Sequence, residues 1–81
     1  MDGPSRLRRS IVEALGRIGP ESKEAVPLIA RSLKDDYDPN VRAAAAEALG
    51  EIGSEATEAV PALVEALEDH NEVGQRAAKA L

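Results

Sequence analysis

Only a few side chains in this sequence have the types and spacing that chemistry requires. His70 is the single histidine, and there is no cysteine. Nucleophilic or general-base catalysis would therefore run through His70 or through carboxylates. His70 lies within Glu68-Asp69-His70-Asn71, which reads as a connecting loop, and it is taken as a solvated loop residue. A metal site needs three or four convergent ligands, and carboxylates alone are left to supply them. Asp35, Asp36 and Asp38 crowd one short stretch and raise the question of calcium. That stretch lacks the ligand spacing, the central glycine and the closing glutamate of a calcium-binding hand. Asp38, directly before Pro39, reads as a helix cap instead. The Gly-x-x-Gly pairs at 16–19 and 50–53 end predicted helices, whereas a phosphate loop would follow a strand.

Arg6, Arg8, Arg9 and Arg17 form a small basic patch, the one feature that suits a nucleic-acid backbone. The rest of the chain is acidic, and Tyr37 is its only aromatic residue, so stacking platforms are missing. Residues 1–34 carry seven basic and four acidic residues, giving +3; residues 35–81 carry three basic and eleven acidic, giving −8. Such a division can steer a partner or favour head-to-tail self-contact. These residues predict no enzyme, no cofactor and no metal. Nucleic-acid binding through the arginine patch stands as an alternative to protein binding.

The elements that must position these residues come from a repeat. Eighty-one residues make at most one small domain. The composition favours helix formers and is poor in aromatic residues. Set against itself with an offset of 34, the chain matches at 14 of 29 positions, residues 7–35 on 41–69. Glu-Ala-Leu-Gly-Arg-Ile-Gly at 13–19 falls on Glu-Ala-Leu-Gly-Glu-Ile-Gly at 47–53, and Ala-Val-Pro recurs at 25–27 and 59–61. A third copy begins near Val73 and runs to Leu81.

Each unit reads as two helices. Asp38 caps the second copy's first helix, and Val41, Ala44, Ala45, Ala48, Leu49 and Ile52 form its apolar stripe. Gly53 is expected to end that helix in the left-handed conformation. The recurrence of Gly16 as Gly50 implies a neighbouring helix at close approach. A turn follows, and a second helix is expected from about Glu58, with Pro61 in its first turn. Its stripe is Val60, Leu63, Val64 and Leu67. In the first copy the stripes are Leu7, Ile11, Leu15 and Ile18, then Val26, Ile29 and Leu33. Asn71 is the expected cap of the last helix. The predicted fold is all-α: a solenoid of tandem antiparallel helix pairs, with units at 4–37 and 38–70 and the first helix of a third at 71–81.

Asp38-Pro39-Asn40-Val41-Arg42, the run at 45–53 and Ala59-Val60-Pro61-Ala62-Leu63 resemble the HEAT-like repeats of the phycobilisome-lyase type. The resemblance covers roughly residues 4–81, about two and a half repeats. It implies a protein-interaction or scaffolding module, with an accessory subunit of a bilin lyase-like enzyme as an alternative. Hydroxylases of this group hold iron with repeated His-Glu pairs; here His70 is followed by Asn71. In this architecture second helices line the concave face, which places the partner contacts at Leu28, Arg31, Ser32 and Asp35 and at Ala62, Glu65, Ala66 and Asp69. With fewer than three full repeats, the array is expected to be a piece of a longer one or to cover its open ends by self-association. The charged start of the chain and the absence of an apolar run of membrane length predict a soluble, cytoplasmic protein without a signal peptide.

Overall fold

The computed structural model describes residues 3–68 and 72–81; the expectations for Asp69, His70 and Asn71 lie outside the described residues. The chain is an all-α solenoid. Helix α1 (Gly3–Ile18) leads through a 3₁₀ stretch, Gly19–Ala25, into α2 (Val26–Asp35). Helix α3 (Pro39–Ile52) leads through a second 3₁₀ stretch, Gly53–Ala59, into α4 (Val60–Ala66), and α5 (Glu72–Ala80) follows. Helices α1, α3 and α5 lie side by side with α3 in the middle, while α2 and α4 pack on them and on each other.

Local chemistry sets these boundaries. The Asp38 carboxylate accepts the Asn40 N–H at 2.8 Å, so one orphan donor at the start of α3 is satisfied, and Pro39 fills the first helical position. Gly53 ends α3 with φ 77° and ψ −138°. The positive φ is as expected, but this ψ lies far from the left-handed helix, in backbone space open mainly to glycine. Gly19 has φ 80° at the same point of the first unit. A 3₁₀ stretch then replaces the expected turn, and α4 starts at Val60 instead of near Glu58. Pro27 and Pro61 lie in the first turns of α2 and α4, where a missing N–H costs nothing.

Helix α3 buries Val41, Ala43, Ala44, Ala45, Ala46, Ala48, Leu49 and Ile52, on nearly every side. Its alanines let neighbouring helices close in. A Cβ added at Gly16 would stand 2.8 Å from Ala48 Cα; one added at Gly50 would stand 3.2 Å from Ala80 Cα. The same close approach thus recurs one unit later, which is why the glycine recurs.

Two of the expected stripes are not core. On α1, Leu7, Ile11 and Ile18 are 63%, 49% and 55% exposed, and the buried line is Ser5, Val12 and Gly16, with Leu15 half-buried. Of the second unit's second stripe only Leu63 is buried; Val60 and Val64 of α4 and Leu67 just beyond it are exposed. The cause is position in the stack. Val41, Ala45 and Ile52 occupy the places of Leu7, Ile11 and Ile18 but are covered by α1. Val26 and Leu33 occupy the places of Val60 and Leu67 but are covered by the second unit.

Candidate protein-binding surface

The loop between α2 and α3 fixes the edge of the surface. Arg8 donates from Nε and Nη2 to both carboxylate oxygens of Asp36, at 2.7 and 3.1 Å. Its Nη2 also reaches Ser5 Oγ at 3.0 Å, and the guanidinium sits 5.0 Å over the Tyr37 ring. Ser5 Oγ donates to the Tyr37 hydroxyl at 3.2 Å. From the other side, Arg42 Nη1 donates to the Asp36 carbonyl at 2.7 Å, and the Asp38 N–H reaches Asp36 Oδ1 at 2.9 Å. Asp36 is therefore held from α1 and α3 together. The Arg8 hydrogen bonds keep its carboxyl below the usual carboxylate range, against the opposing effect of burial; the Asp38 N–H and the Arg42 charge add to the lowering. Arg8 is raised in turn by the same bond.

This network uses the residues that raised other possibilities. Asp36 and Asp38 are committed to Arg8 and to the start of α3, and among the described residues no group of three or more acidic or histidine side chains is gathered as a metal would need. Of the arginine patch, Arg8 is spent on Asp36 and Arg9 pairs with Glu13 at 3.1 Å. Only Arg6 and Arg17 of the four are exposed and make no ion pair among the described residues.

The side-by-side packing of α2 and α4 opens a cleft of about 340 Å³. Leu33, Ala62 and Ala66 form its apolar part; Lys34 comes from α2 and Arg42 from α3, and Glu65 and Glu68 come from α4 and just beyond it. Of the eight expected contact residues, the structure brings together Ala62, Glu65 and Ala66. Ala66 is a correction: it is buried, because α4 packs on α2 there, and offers little surface. Arg31 and Asp35 are exposed on α2 but do not line the cleft. Leu28, 59% exposed, and half-buried Ser32 occupy the places of Ala62 and Ala66, the side of α4 that meets α2. They therefore lie on the side of α2 away from α4, at the open end of the stack, and not in a shared row. Asp69 lies outside the described residues.

Sequence reasoning missed Leu33, Lys34, Arg42 and Glu68 as cleft residues. Leu33 was legible only as core. The matching places of Arg8 and Arg42 in the two units were a usable signal, since both arginines grip the same loop residue, Asp36. A second, larger cleft of about 550 Å³ runs between α3 and α5, where Arg76 pairs with Glu47 and Glu72.

Antiparallel helix pairs stacked with a shared core define an α-solenoid. The sequence matches the HEAT repeats over residues 2–81, and the chain belongs to that family. No curated protein and no solved structure matches it. HEAT repeats generally mediate protein–protein interaction or scaffolding. Among the described residues no helix is long and apolar enough to cross a membrane.

Proposed function

We propose that the chain is a non-enzymatic scaffolding module that holds a segment of another protein in the cleft between α2 and α4. The observation that supports this reading is the lining of the cleft: half-buried Ala62 over the buried Leu33 and Ala66, with basic Lys34 and Arg42 from α2 and α3 and acidic Glu65 and Glu68 from α4 and just beyond it. A segment with a small apolar side chain between a basic and an acidic residue matches it, in one orientation only. Opposed charges of this kind set register and exclude wrong partners more than they add affinity.

The test begins with the partner cross-linked to the chain in its native cells, identified and then titrated. Glu65→Lys is expected to weaken that partner about tenfold, which corresponds to about 1.4 kcal/mol. Leu28→Asp, at the end of the stack, is expected to leave the affinity unchanged. An affinity unmoved by Glu65→Lys, or lost with Leu28→Asp, would reject the cleft as the binding site.

A further inference from the structure

Arg8 and Arg42 occupy the same place in the two units, yet their guanidinium groups are held differently. Arg8 meets a full counter-charge, the two carboxylate oxygens of Asp36 at 2.7 and 3.1 Å. Arg42 meets only a carbonyl, donating from Nη1 to the Asp36 main-chain oxygen at 2.7 Å. Among the described residues Arg42 makes no other side-chain hydrogen bond and no ion pair. Lys34, Glu65 and Glu68, which line the α2–α4 cleft with it, make no ion pair either. Two cations and two anions thus share one cleft without neutralising each other. An arginine side chain is long and rich in rotamers, so an unrestrained one would fold onto a neighbouring carboxylate. What restrains Arg42 is the carbonyl it holds.

That carbonyl belongs to a residue fixed from outside the cleft. Arg8 grips the Asp36 carboxylate with two parallel N–H groups, the geometry that best sets a carboxylate's orientation. The Asp38 N–H reaches the same carboxylate at 2.9 Å, and the Asp36 N–H donates to the Ser32 carbonyl at 3.1 Å. Contacts therefore run without a gap from Arg8 to the Asp36 carboxylate, through the Asp36 main chain, to Arg42 and the cleft. Arg8 itself lies on α1 and does not line the cleft. A side chain held in advance avoids the ordering cost that a free one meets on binding.

We propose that Arg8 is a positioning residue for the cleft: through Asp36 it holds Arg42 off Glu65 and Glu68 and keeps its guanidinium ready for a carboxylate of the bound segment. This rests on the reading of the cleft as the binding site. It adds that recognition there is set by a residue of the neighbouring unit that never touches the partner.

NMR of the arginine side chains in the free chain gives the first test. The Arg42 Nη protons are expected to exchange with water about fivefold more slowly than those of exposed Arg6 and Arg17, the protection one ordinary hydrogen bond gives. Arg8→Gln is expected to abolish that difference. Arg9→Gln, which removes only the pair with Glu13 on the same helix, is expected to leave it, with circular dichroism verifying that both variants fold. The second test titrates the partner identified by cross-linking. Arg8→Gln and Arg42→Gln are each expected to weaken it about fivefold. The double variant is expected to be no weaker than Arg42→Gln alone, because the effect of Arg8 runs through Arg42. Arg42 exchange unmoved by Arg8→Gln overturns the proposal, and so do losses that add in the double variant. An affinity that falls with Glu65→Lys but not with Arg8→Gln rejects the positioning role and leaves the cleft standing; an affinity unmoved by Glu65→Lys rejects both.

Discussion

Ser22 is buried, yet its hydroxyl has no hydrogen-bond partner among the described residues. A hydroxyl removed from water without a partner costs about 1–3 kcal/mol. The second unit solves the same problem differently: Ala56 stands in the place of Ser22 and is also buried. Ser22→Ala is therefore expected to stabilise the chain by about 1 kcal/mol, since it removes one unpaired polar atom and changes little volume. Urea unfolding measures this directly, and a loss of stability would mean that the hydroxyl has a partner after all. The residue scale is also where sequence reading went astray on α1. Apolar spacing selects Leu7, Ile11 and Ile18 as core, because hydrophobicity does not record whether a neighbour is present. The buried line, Ser5, Val12 and Gly16, is made of small side chains chosen for close approach, and small residues carry a weak hydrophobic signal.

At the scale of elements the recurring glycines separate two effects of equal chemistry. Gly→Ala inside a helix gains about 1 kcal/mol in propensity, whereas overpacking costs about 1–3. At Gly16 the new methyl would meet Ala48 Cα at 2.8 Å and Cβ at 2.9 Å, both part of the central and least movable helix. At Gly50 it would meet Ala80 at 3.2 Å, the last residue of α5, where the helix end can give. Gly16→Ala is expected to be net destabilising and to lower Tm, while Gly50→Ala stays within about 0.5 kcal/mol of the wild type. Equal effects of the two substitutions in thermal unfolding would show that helix spacing is not what the glycines serve. The helices, their order, the Asp38 cap and the purpose of these glycines were all legible in the sequence, because period, cap chemistry and recurrence are local signals. The 3₁₀ stretches were not, since Gly53–Ala59 has no residue that distinguishes a tight helical turn from a loop. The cleft was half legible. Ala62, Glu65 and Ala66 came from helical spacing on α4, but Lys34 and Arg42 reach it from α2 and α3, and their convergence depends on how the units stack.

For the whole molecule, stability depends on how many neighbours each apolar residue has, and not on its size. Leu49 and Leu7 are the same side chain on the first helices of successive units. Leu49, on the central helix α3, is 1% exposed; Leu7, on α1, is 63% exposed. A chain of this length has about 4–12 kcal/mol of total stability. Leu49→Ala is expected to cost about 2–5 kcal/mol, through lost burial and the cavity left behind. That is a large share of the total, and a substantial unfolded fraction at moderate temperature follows from it. Leu7→Ala is expected to cost no more than about 0.5 kcal/mol in the isolated chain, because its side chain already meets water. Denaturant unfolding at low protein concentration separates the two cases. A Leu7→Ala deficit as large as that of Leu49→Ala would place Leu7 in the core instead.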